Sequence, residues 1–162
     1  MKLCRSLFKL SISCFISIFT VIASNPVTAN NSFFGKISLS SNSETVKKTV
    51  TGYTGGSYSL SSVSKRDVHK NLCIGFADSK PDHILVLEKD FPKLNIKVNS
   101  GGYDTTLLIV GPDKKTVRCG DDTGKSKDAS INDRNWKAGT YQIWVGSFKA
   151  RTRKNYRLSL QN

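Results

Sequence analysis

Four aspartates, Asp104, Asp121, Asp122 and Asp128, are the residues whose type and placement first suggest chemistry. Asp104 opens an apolar run, Asp121-Asp122 follows Cys119-Gly120 directly, and Asp128 and Asp133 lie just beyond. Carboxylates remote in sequence meet when the segments between them are strands, because loops at one end of a β-sandwich converge. Hard cations such as Ca2+ take several such oxygens, completed by backbone carbonyls and Asn side chains. The spacing is not that of an EF-hand loop. A local account competes: Asp and Asn favour turns, where their side chains bond the neighbouring backbone. Both accounts stand at this level, and Ca2+ is the one cofactor suggested.

A second constellation is cationic. Lys149, Arg151, Arg153 and Lys154 crowd one short stretch before Tyr156. Like charges so close repel one another unless a counter-anion is present, which points to a polyanion such as acidic polysaccharide or another envelope component. The alternative is a solvated turn that guards an edge strand from pairing. Nucleic acid has only the charge in its favour, with no aromatic-basic motif of a nucleic-acid module.

Signatures of hydrolysis are missing. There is no Gly-x-Ser-x-Gly elbow, no His-Glu-x-x-His and no phosphate-cradling Gly-rich loop. His69 and His83 are the only side chains that titrate near neutrality without perturbation. His69 falls in a charged loop and His83 abuts a strand, neither beside a nucleophile in a known motif. Trp136 and Trp144 read as packing residues, since Trp144 lies inside an alternating strand.

The elements that must position these residues begin after a targeting segment. Residues 1–29 read as a signal peptide, with Lys2, Arg5 and Lys9 ahead of an uncharged apolar run from Leu10 to Ala23. That run is shorter than the ~20 residues a membrane span needs, so no transmembrane segment is expected after cleavage. Cleavage after Ala29 removes three cations, taking the formal charge from +13 to +10. It also removes Cys4 and Cys14, leaving Cys73 and Cys119, which pair in an oxidising compartment such as the periplasm, envelope or exterior.

Residues 30–45 are polar and serine-rich and read as a leader or linker, with Phe33, Phe34 and Ile37 available to dock. Residues 46–162 form the domain. Leu94, Ile96 and Val98 alternate with Asn95, Lys97 and Asn99, a half-buried strand. Leu107 to Val110 is apolar on both faces, as in a strand covered on both sides. Gly111-Pro112-Asp113 is a type I turn signal. Tyr141, Ile143 and Val145 alternate, as do Tyr156, Leu158 and Leu160. No window supports an amphipathic helix. About nine short strands with turns between them predict an all-β, jelly-roll-like sandwich.

Three stretches together resemble the bacterial pre-peptidase C-terminal domain. They are Asp104-Thr105-Thr106-Leu107-Leu108-Ile109-Val110-Gly111-Pro112-Asp113, Cys119-Gly120-Asp121-Asp122, and Ala138-Gly139-Thr140-Tyr141-Gln142-Ile143-Trp144-Val145-Gly146-Ser147. Tyr156 to Leu160 matches the closing strand, and the resemblance covers about residues 72–160. It implies a jelly-roll sandwich of the kind appended to secreted proteases, without catalysis of its own. From the sequence, no attached peptidase is expected. Some relatives bind Ca2+ through residues ahead of the sandwich, but Glu44 and its neighbours match no such ligand. The expectation is an exported, non-catalytic binding or structural module that contacts an anionic polymer or another envelope or secreted component. The alternative is a small secreted hydrolase, or a hydrolase accessory, that uses His83 with aspartates.

Overall fold

The computed structural model describes residues 32–40 and 45–162; the signal peptide read over residues 1–29 lies outside them. Eleven strands run β1 (Lys36–Leu39), β2 (Lys47–Tyr53), β3 (Tyr58–Ser59), β4 (Phe76–Ala77), β5 (His83–Leu87), β6 (Phe91–Asn99), β7 (Thr105–Val110), β8 (Val117–Gly120), β9 (Ser130–Trp136), β10 (Gly139–Ser147) and β11 (Asn155–Gln161). Among the described residues the only helical element is a 3-10 turn at Leu60–Ser62. The all-β expectation holds.

Two sheets face each other. The smaller is ordered β2-β11-β6-β9. In the larger, β10 is central, with β7 and then β8 on one side and β5 and then β1 on the other; β4 and β3 extend it. Alternation decides what fills the space between the sheets. Leu94, Ile96 and Val98 of β6 meet Leu158 and Leu160 of β11, with Tyr141, Ile143 and Val145 of β10 opposite, all buried. Their alternates on β6, Asn95, Lys97 and Asn99, are exposed.

β7 is buried at all six positions because a second apolar layer lies on its far side. Leu60, Cys73, Ala77, Leu108, Val110 and Trp144 form that layer beneath the segment 60–75. The Cys73–Cys119 disulfide ties this segment to β8 across 46 residues. Closing a loop of that length stabilises a fold by about 4 kcal/mol in the chain-entropy model. Asp67 adds a polar clasp: its carboxylate accepts the N–H groups of His69, Asn71 and Cys119.

The leader reading of residues 30–45 needs correction. Lys36–Leu39 is a strand, parallel to β5 with Ile37 opposite Leu85. Ile37 and Leu39 enter the core while Lys36 and Ser38 face out. Phe34 does dock, edge-on to Tyr53 at 4.7 Å between ring centres.

Candidate functional site

Strand directions bring four chain segments to one end of the sandwich. β6 ends at Asn99 and β7 starts at Thr105; β8 ends at Gly120 and β9 starts at Ser130; β10 ends at Ser147 and β11 starts at Asn155. The intervening loops, with the chain leaving β2 after Tyr53, therefore share this end. They carry Asp104, Asp121, Asp122 and Asp128 and the cations Lys149, Arg151, Arg153 and Lys154.

Loop 148–154 is built rigidly. Thr54, fully buried, donates its hydroxyl to the carbonyl of Thr152 at 2.7 Å and accepts the N–H of Lys154 at 3.0 Å. The N–H of Arg151 reaches the carbonyl of Gly56 at 2.7 Å, and that of Phe148 reaches Asp104 at 3.1 Å. Arg151 holds φ at +60°, a left-handed conformation that a side chain disfavours. The cations then divide. Lys149, Arg151 and Arg153 are exposed and Lys154 is half-buried, but only the first two lie over no ring. Arg153 lies over the Tyr53 ring at 3.3 Å and Lys154 over Tyr103 at 3.9 Å. Among the described residues none of the four pairs with a carboxylate.

Lys127 joins them from the β8–β9 loop, paired with Asp104 at 3.3 Å. Sequence reasoning missed it because it is one lysine in a polar stretch. Its position follows from the N–H of Thr105 bonding the Lys127 carbonyl. Tyr103, Asp104, Lys127, Lys149, Thr152 and Lys154 line a cleft of about 270 Å3. A larger, open cleft of about 550 Å3 is lined by Thr51, Tyr53, Asn99, Asn155 and Arg157, with Phe34 at its rim.

The aspartates also divide. Asp104, Asp121 and Asp122 each place a carboxylate oxygen within 4.8 Å of the others. Burial, then repulsion from Asp122 and Asp104, raises the Asp121 carboxyl above its usual range. Its Oδ1 is buried with no hydrogen-bond partner. Asp128, expected with this group, is instead a buried structural acceptor. It takes the N–H groups of Ser100 and Gly102 and the hydroxyl of Ser100, fixing the turn that leads into Tyr103.

The histidine on which the hydrolase alternative rests lies away from solvent. His83 is fully buried in β5, its Nε2 3.0 Å from the Tyr156 hydroxyl and its Nδ1 without a partner. Burial pushes its pKa down to about 4. Phe34 packs 5.7 Å away, so the imidazole has no open approach to a substrate. The exposed His69 does meet a carboxylate, Asp133, at 3.0 Å, but that carboxylate also binds the Arg118 guanidinium at 2.6 Å. Among the described residues no hydroxyl hydrogen-bonds to the His69 ring.

No protein-family profile and no curated protein matches the chain. Among solved structures it is similar to the pre-peptidase C-terminal domain of collagenase from Bacillus anthracis. Identity is 15% and the TM-score 0.48, over 80% of this chain and 96% of the other. Among the described residues no helix is long and apolar enough to cross a membrane.

Proposed function

We propose that the protein is an exported, non-catalytic module that holds an anionic polymer at the loop end of its sandwich. The observation that carries this reading is the set Lys149, Arg151, Arg153 and Lys154: four cations on one pinned loop, none neutralised by a carboxylate. Holding them together in the fold costs repulsion that a bound anion removes. Loops on a rigid scaffold are also where such folds carry recognition. The buried His83 supports a role without catalysis. The edge-guard account fits less well, because Arg153 and Lys154 stack on tyrosines instead of projecting from a strand edge.

The test is retention on an anionic polysaccharide matrix by the triple variant Lys149→Ser, Arg151→Gly, Lys154→Ser. Glycine suits the positive φ at Arg151, and Arg153 keeps its stacking on Tyr53. Retention should fall at least tenfold with the melting temperature nearly unchanged. Undiminished retention by a folded triple variant refutes the reading.

A second reading concerns the cation that could accompany the polymer. Asp104, Asp121 and Asp122 supply a three-carboxylate set suited in donor type to Ca2+. Binding to the folded state alone raises the melting temperature as Ca2+ is added. Millimolar Ca2+ should therefore stabilise the protein relative to chelator, and Asp121→Asn should abolish the difference. Identical melting curves with Ca2+ and with chelator remove this reading.

A further inference from the structure

We infer that the ligand is a linear acidic polysaccharide that lies across both clefts, one on each side of the 152–155 segment, as two adjoining subsites. The inference rests on the polyanion reading above and specifies its chemistry.

The two clefts draw on the same two chain segments. Loop 99–104 gives Asn99 to the larger and Tyr103 to the smaller; the 152–155 segment gives Asn155 to the larger and Thr152 and Lys154 to the smaller. An extended chain seated in one therefore continues into the other. Each cleft alone is small beside the 300–1,000 Å3 typical of drug-sized ligands, or too open to enclose one. Together they suit a polymer.

Their linings differ in a way that selects sugar over other polyanions. The smaller cleft mixes Lys127, Lys149 and Lys154 with the Asp104 carboxylate and the Thr152 hydroxyl. The Asp104 carboxylate accepts hydrogen bonds from sugar hydroxyls, donors that an ionised polyphosphate lacks, while the lysines meet a uronate carboxylate. The larger cleft adds neutral partners, Thr51, Asn99 and Asn155, beside a single cation, Arg157. Such a lining reads hydroxyl patterns rather than charge.

The aromatic geometry disfavours single-stranded nucleic acid. Non-specific binders of that class stack bases on open aromatic faces. Here Tyr53 and Tyr103 each carry one of the protein's own cations over a face.

Two subsites predict a length dependence. Once an oligomer spans both, the second contact becomes intramolecular and the affinity rises without any new charge on the protein. The experiment measures binding of oligogalacturonates, from monomer to octamer, to the purified protein in chelator-containing buffer. Polyphosphate of matched charge serves as comparison. The variant Thr51→Ala/Asn155→Ala removes two exposed neutral groups from the larger cleft and leaves the net charge untouched. Wild type should gain at least tenfold between short and spanning oligomers. The double variant should lose that gain while binding short oligomers normally. Asp104→Asn should shift the preference away from oligogalacturonate and toward polyphosphate. An unchanged length profile in the folded double variant overturns the inference, as does equal affinity for polyphosphate; both leave the polyanion reading standing. Failure of wild type to bind any of these polymers at low salt overturns the polyanion reading itself, and the inference with it.

Discussion

Asp82 and His83 are adjacent, both buried, and pull stability in opposite directions as pH changes. Burial is the main cause of the raised Asp82 pKa, from 3.8 to about 7, although Oδ2 accepts the Val145 N–H at 2.7 Å. An acid with a raised folded pKa holds more protons folded than unfolded, so stability falls as pH rises through that window. His83 is the reverse. Its pKa drops from 6.5 to about 4, so the unfolded chain holds more protons and stability rises with pH across that interval. The two windows overlap and their slopes oppose, which keeps the wild-type profile shallow. Removing one partner should expose the other. In Asp82→Asn the melting temperature should climb as pH goes from about 4 to 6.5; in His83→Gln it should decline between about 4 and 7. Thermal unfolding across that range is the check, and single variants that keep the wild-type profile would refute the assignment.

Among the elements, β1 carries the clearest consequence. Ile37 is 4% exposed and packed against the main core. Truncating a buried Ile costs about 2–5 kcal/mol through lost transfer energy and the cavity left behind. Denaturant unfolding of Ile37→Ala should show a loss of that order, whereas a linker residue would show almost none. The sequence hid this strand because Lys36-Ile37-Ser38-Leu39 has only two periods of alternation inside a serine-rich stretch. β9 was hidden for a related reason. Of its seven residues only Ile131 and Trp136 are buried, so no run of alternation is visible until Ile131 sits opposite Ile96. By contrast β6, β10 and β11 were legible from apolar residues at alternate positions, and β7 from the continuous apolar run Leu107 to Val110. The expected turn at Gly111 is present, with the Lys114 N–H bonded to the Gly111 carbonyl. Convergence of Asp104 with Asp121-Asp122 was readable from the sandwich expectation alone. The roles of Asp128 and Lys127 were not, because they depend on which way a polar loop folds back over Ser100 and Thr105.

Over the whole molecule, positive charge is not spread to equal purpose. The chain carries 25 basic against 12 acidic residues. Many of the cations face solvent along strands, as do Lys47 and Lys48 on the outer strand β2, where they deter edge pairing. The loop end differs: its cations sit on a pinned loop, Arg153 and Lys154 stacked on tyrosines, beside two clefts and three carboxylates. On the proposed function, one end of the sandwich is the binding surface and the rest is scaffold. Backbone hydrogen exchange, followed residue by residue with and without polygalacturonate at low salt, tests this most directly. Exchange should slow in residues 99–104 and 148–155 and return to the free rate as salt displaces the polymer. Slowed exchange along β2 around Lys47 and Lys48, with the loop end unaffected, would contradict it.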